Sequence, residues 1–229
     1  MSFTYAIGDL HGRLDVLEAC LVKIEQDRLK KGDADGGATT IVFLGDYVDR
    51  GPDSRGVVQR LIDGAGDQAK WVILSGNHEQ MALMAHDAPD AYRTWWCANG
   101  GVATLQSYGG RVIDPAHLEW MRGLTDRYID EHRLFVHAGV KKDVPLELND
   151  RDIVMWVRHG RNDEVGVEGL YTVHGHTPFM DGPVVLETRC NLDTKAYRTG
   201  RAAIAIFDDD QAGKPLDMLI VSLGYTHGD

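Results

Sequence analysis

Five short blocks of this chain combine residue types that bind metal ions and phosphate. They are Gly8-Asp9-Leu10-His11-Gly12, Gly45-Asp46-Tyr47-Val48-Asp49-Arg50-Gly51, Gly76-Asn77-His78-Glu79, His137-Ala138-Gly139 and His174-Gly175-His176-Thr177. The blocks stand at the ends of short apolar runs that read as strands, the usual place for a site in an α/β fold. Asp9 and His11 are separated by one residue, so in an extended turn both face the same side and can reach one cation. Asp46 brings a carboxylate, whose two oxygens can bridge two cations. Asn77 offers a neutral amide oxygen, and His137 and His176 offer imidazoles. Mixed O and N donors suit Mn²⁺, Fe or Zn²⁺ better than Ca²⁺ or Mg²⁺. No cysteine lies in the blocks, which disfavours a structural zinc or Fe–S site.

Taken singly, each position has a plainer reading. Gly-Asp after a strand is commonly a turn, and a lone histidine is commonly a hydrogen-bonded structural residue. Taken together and in order, Asp, His, Asp, Asn, His and His form the ligand inventory of a two-metal site that hydrolyses phosphate esters. His174 ranks behind His176 and reads as a residue that orients a ligand.

The elements that must position these residues follow from periodicity. Phe3 to Ile7 alternates as a strand. Leu14, Leu17, Leu21, Ile24 and Leu29 recur at helical spacing, which predicts a helix over 14–30, broken by Lys31-Gly32-Asp33 and Gly36-Gly37. Strands over 40–44 and 71–74 flank a helix opened by Pro52-Asp53-Ser54. The first third therefore reads β-α-β-α-β, with parallel strands and crossover helices. Residues 79–127 carry apolar positions at mostly helical spacing and predict a helical insertion. There Trp95 and Trp96 read as core packing, with a substrate-groove lining as the alternative. Strands are predicted over 134–136, 171–173, 184–186, 203–207 and 218–221. The expected whole is one domain over 1–229, an α/β sandwich of two packed sheets with helices outside.

The bulk numbers fit that expectation and exclude others. The chain has 229 residues, 43% of them apolar, enough for a sizeable core. Its net charge of −11 argues against a nucleic-acid groove. Three dispersed cysteines, Cys20, Cys97 and Cys190, make no disulfide framework and read as reduced thiols of a cytoplasmic protein. No run is long and apolar enough to predict a membrane span.

The motifs resemble the phosphoprotein phosphatase branch of the calcineurin-like metallophosphoesterases, nearest to the bacterial and phage serine/threonine phosphatases of the lambda phosphatase type. The resemblance also takes in Asn99-Gly100-Gly101, Thr104 to Gly109, Trp156-Val157-Arg158 and Asn191 to Thr194. It implies the α/β/β/α sandwich with two mixed sheets and two divalent metals, Mn²⁺ foremost and Fe or Zn²⁺ as alternatives. By it, Asp9, His11 and Asp46 hold the first metal, and Asp46, Asn77, His137 and His176 the second. Arg50, Arg158 and Asn77 bind the substrate phosphate, and His78, paired with Asp49, is the general acid. Chemistry supports these roles: guanidinium forks match phosphate oxygens, and a serine alkoxide leaves faster when a proton donor meets it. The implied partners are phosphorylated proteins or peptides, without nucleic acid, membrane or an obligatory regulatory subunit.

The alternative enzyme readings are symmetrical bis(5'-nucleosyl)-tetraphosphate hydrolysis and a broad-specificity phosphatase that also acts on phosphotyrosine. Asp49 completes an Asp-Arg-Gly block usual in the protein phosphatases. Gly175-His176-Thr177-Pro178 lacks the final histidine of Gly-His-x-His, which weighs against a diesterase. Cysteine phosphatase chemistry needs Cys-x₅-Arg, and none of the three cysteines has it. A phosphopeptide-binding module with a dead site is disfavoured by the intact ligand set.

Overall fold

The computed structural model describes residues 2–33, 39–64, 66, 69–110 and 112–224. The predicted break at Gly36-Gly37 lies outside them. Strand β1 (Phe3–Ile7) is buried along its whole length because it is central in its sheet. It pairs in parallel with β2 (Thr39–Phe43), which pairs in parallel with β3 (Lys70–Ile73). Helices α1 (Leu14–Lys30) and α2 (Ser54–Asp63) form the crossovers. Val16, Leu17, Cys20 and Ile24 of α1 pack with Val57 and Leu61 of α2 on one face of this sheet. Asp53 starts α2 by accepting the Gly56 N–H.

The helical segment begins earlier than predicted. Helix α3 runs Asn77–Asp87, so Asn77 and His78 occupy its first turn rather than a strand end. Glu79 three residues after Gly76 caps that turn and sets its start. There follow α4 (Pro89–Trp96), a wide turn over Cys97–Gly101, α5 (Val102–Ser107) and α6 (Pro115–Arg122). These helices have their own core of Met81, Ala82, Ala85, Trp96, Leu118 and Met121. The helical stretch also ends sooner than predicted, because Arg127–Ile129 forms β4.

The second sheet holds β4, β5 (Arg133–Val136), β6 (Tyr171–His174), β7 (Val184–Val185) and β8 (Arg189–Asn191), in the order β4-β5-β6-β8-β7. The sequence reading lacked β4 and β8, both three-residue strands too short to show a period. Helix α7 (Arg151–Trp156) covers the outer face. After a single-turn helix α8 (Ala196–Thr199), the chain returns to the first sheet as β9 (Arg201–Asp208) and β10 (Asp217–Ser222), both antiparallel. Between the sheets, Ala6, Val42, Leu44 and Phe207 meet Phe135, Tyr171, Val173 and Cys190. Truncating a residue such as Phe135 in that layer costs about 3–5 kcal/mol. The architecture is the expected two mixed sheets flanked by helices.

Candidate metal centre

The parallel strands β1, β2, β5 and β6 end on one side, and the loops that follow them interlock. The amides of Leu10 and His11 donate to Asp46 O, and Gly12 N to Tyr47 O. Gly175 N donates to His137 O, joining the corresponding loops of the second sheet. Gly45 (φ 100°) lies so close to Gly76 and His137 that a Cβ there would stand 2.6 Å from Gly76 N. The buried Glu79 carboxylate accepts the N–H groups of Asp46 (2.9 Å), Tyr47 (2.8 Å), Val48 (3.2 Å) and Gly76 (2.9 Å). It therefore fixes the backbone that presents Asp46. Burial and the Asp46 charge push its carboxyl up to about 7, against the pull of the Gly76 and Tyr47 amides.

Among the described residues, seven non-glycine residues have positive φ, and His11, Asp46, Asp49, Arg50 and His176 are five of them. Such conformations cost about 1–3 kcal/mol each and collect at working sites. The φ of 45° at His11 also corrects the expected extended turn: a left-handed residue, not strand alternation, brings Asp9 and His11 together.

The structure brings Asp9, His11, Asp46, Asn77, His137 and His176 into one buried cluster. One trio of possible donor atoms comes from His11, Asp46 and His78, another from Asp46, His137 and His176, each trio within 4.8 Å, with Asp46 common to both. Asn77 Oδ1 is 3.0 Å from His137 Nε2 and 3.0 Å from His176 Nδ1. Asp9 accepts the His176 N–H at 3.1 Å and lies 4.0 Å from His11 Nε2.

The donor set fits cations. His11 Nδ1 faces Val48 O at 2.9 Å and His137 Nδ1 faces Leu44 O at 2.8 Å. A carbonyl can only accept, so each Nδ1 carries hydrogen and each Nε2 turns its ligating position into the cluster. Three carboxylates, Asp9, Asp46 and Asp193, are buried there together, which is costly without positive charge. Burial and the Asp193 charge hold the Asp9 carboxyl well above its usual range. Burial alone would depress His137, but Asp46 and Asp9 push it up to about 10. Burial, reinforced by His137, pushes His176 down to about 2. Without cations, a proton on His137 thus takes the place of positive charge between Asp46 and Asn77.

On the rim, His78 Nδ1 is 2.6 Å from Asp49 Oδ2. Arg50 is exposed, its Nη2 2.8 Å from His78 Nε2 and its guanidinium carbon 5.1 Å from the Tyr197 ring centre. Arg158 is exposed and makes no hydrogen bond or ion pair among the described residues, yet its charge helps to depress His176. The other residues fall elsewhere. His174 orients no ligand directly; Arg189 Nη1 meets its Nε2 at 2.9 Å, and Arg189 also binds Asp163 O and Gly160 O, anchoring the loop that carries Arg158. Arg13 is buried against Asp15 and Ala196 O. Trp96 is buried in the helical core, whereas Trp95 is exposed and stacks on Trp156. Sequence reasoning missed Glu79 as loop anchor, Tyr197 beside Arg50 and Asp193 as third carboxylate; Glu79 and Asp193 lay in quoted blocks but without these roles, and Tyr197 lay in none.

The calcineurin-like phosphoesterase family model matches residues 4–200. The chain belongs to that family. Serine/threonine-protein phosphatase 1 of Salmonella typhimurium is 35% identical over 98 residues, 42% of this chain and 38% of that protein. The symmetrical bis(5'-nucleosyl)-tetraphosphatase of Klebsiella pneumoniae is 32% identical over 146 residues, 63% of this chain and 45% of that protein. The chain thus spans less than half the length of these two curated relatives. A solved structure titled as a putative diadenosine tetraphosphatase superposes with a TM-score of 0.63 at 20% identity, covering 99% of this chain and 95% of its own. A serine/threonine phosphatase from Saccharomyces cerevisiae gives 0.59 at 15% identity, covering 100% and 81%. These likenesses establish the fold of a metallophosphoesterase. No helix among the described residues is long and apolar enough to cross a membrane.

Proposed function

We propose that this metallophosphoesterase is a phosphomonoesterase acting on phosphoserine and phosphothreonine in proteins or peptides, with phosphotyrosine also accepted. The observation that carries the reading is the buried Asp49–His78 pair at 2.6 Å on the rim of the cluster, beside Arg50. A poor alkoxide leaving group needs a proton donor, and an imidazole held by a carboxylate is suited to the task. Bound divalent cations, proposed as two Mn²⁺ with Fe or Zn²⁺ as alternatives, supply charge neutralisation for the dianionic ester and a lowered water pKa. Asp9, His11 and Asp46 are assigned to one cation, and Asp46, Asn77, His137 and His176 to the other. His78 is left out of the first set because it is assigned as the proton donor, its ring held by the Asp49 carboxylate. Arg50, Arg158 and Asn77 bind and orient the phosphate. As the ester P–O bond breaks, its electron pair stays on the leaving oxygen, which takes a proton from His78 Nε2, the nitrogen that accepts from Arg50 here and is freed to be protonated when Arg50 turns to the phosphate. Water supplies the new oxygen on phosphorus, and the proton it sheds restores His78. No regulatory subunit is required in this scheme.

Symmetrical dinucleoside-tetraphosphate hydrolysis is the second reading, favoured by the larger share of the chain that aligns with relatives of that name. Assaying a phosphoserine peptide beside diadenosine tetraphosphate with Mn²⁺ separates them. Turnover of the tetraphosphate with the peptide untouched would overturn the first reading.

A further inference from the structure

Thr104 and Trp96 lie in the core of the helical segment, both buried, where Val and Phe would pack as well. Burying a hydroxyl and an indole N–H is costly unless each is hydrogen-bonded. Both spend their bonds on one carboxylate. Thr104 Oγ1 donates to Asp49 Oδ1 at 2.6 Å, and Trp96 Nε1 stands 3.0 Å from each Asp49 oxygen. An ionised carboxylate only accepts, so the proton in each contact belongs to Thr104 and Trp96. Thr104 Oγ1 also accepts the Asp49 N–H at 2.8 Å, alongside Ser54 Oγ at 3.0 Å. One hydroxyl therefore grips both ends of a residue whose backbone is left-handed, with φ 74°.

We infer that Thr104 and Trp96 are positioning residues for the Asp49–His78 pair. The inference rests on the reading of His78 as proton donor and assigns the helical segment a part in the chemistry. Three donors at fixed places, from Thr104, Trp96 and His78, leave the Asp49 carboxylate no freedom to turn. The carboxylate plane then sets the direction of the His78 ring, which meets the His11 ring edge-on at 4.6 Å. Loss of a donor frees the carboxylate to rotate, and the imidazole follows. The consequence is selective. Esters with acidic leaving groups break without a proton, whereas alkyl esters need one delivered in line.

The test measures kcat/KM of Mn²⁺-loaded protein on small phosphate monoesters of graded leaving-group pKa, from para-nitrophenyl phosphate to phosphoserine. Relative to the native protein, Thr104→Val and Trp96→Phe should lose about tenfold more on phosphoserine than on the nitrophenyl ester, a steeper dependence on leaving-group pKa. Thr104→Ser keeps the hydroxyl and should restore the native dependence. His78→Asn should show the same selectivity with a larger loss. Equal losses on both esters in the Thr104 and Trp96 variants, or no rescue by serine, would overturn the inference while a selective His78→Asn keeps the underlying reading. An unselective His78→Asn would overturn both. Should Thr104→Val fail to fold, Trp96→Phe carries the same comparison.

Discussion

Tyr47 sits directly under the residue shared by the two donor trios, and its hydroxyl sets up a sharp prediction. The side chain is fully buried. Its Oη donates to Leu74 O at 2.7 Å and accepts the Gly45 N–H at 3.1 Å. It thereby ties the end of β3 to the backbone that precedes Asp46. Tyr47→Phe removes only the oxygen, so packing is preserved while a buried N–H and a buried carbonyl lose this partner. Each such group costs about 1–3 kcal/mol when water cannot replace the lost partner. The pair should lower unfolding stability by about 2–6 kcal/mol, a large share of the roughly 5–15 kcal/mol of a folded domain. Urea unfolding of the metal-free protein reads this directly, as a lower midpoint at unchanged slope. Tyr128→Phe is the control. Among the described residues its hydroxyl meets only Lys70 Nζ, at an exposed place, and its loss should cost under about 0.5 kcal/mol. Because Tyr47→Phe removes no proposed ligand, turnover at saturating Mn²⁺ should fall only a few-fold. A loss below about 0.5 kcal/mol would refute the assignment of this hydroxyl as a tie, by the same scale of surface effects. Abolished turnover at saturating metal with native stability would refute its separation from the chemistry.

Three further outcomes follow. Asp46→Asn should lower the content of both cations and abolish turnover, whereas His176→Asn should lower one, because only Asp46 belongs to both donor trios; metal analysis after gel filtration distinguishes them. Apparent Mn²⁺ affinity should rise about tenfold per pH unit for each proton displaced, between about pH 6 and 9. The sign follows from His137, which is pushed up to about 10, holds a proton at neutral pH without metal and must lose it to ligate; titration calorimetry at several pH values would refute this if affinity were flat. Arg158→Ala should raise KM for phosphate monoesters by about tenfold, equivalent to about 1.4 kcal/mol, with metal content unchanged; an unaltered KM would remove Arg158 from the phosphate site.

The ligand-type residues were legible in the sequence because their types are restricted and their neighbours are punctuating. Gly-Asp, Gly-Asn and Gly-His pairs after apolar runs mark tight turns at strand ends, and the β-α-β-α-β period places the first three on one sheet edge. The strands Phe3–Ile7 and Tyr171–His174 and the helix Leu14–Lys30 appear within a residue of their predicted bounds for the same local reason. Which atoms meet was a different matter. The left-handed φ of His11, Asp46 and His176, the carbonyls that set the His11 and His137 tautomers, and the Thr104 and Trp96 donors on Asp49 all depend on contacts between segments far apart in the chain. Burial turns those contacts into chemistry: removing water makes each buried carboxylate demand a donor or a cation, and only the packed sheets and helices determine which one it finds.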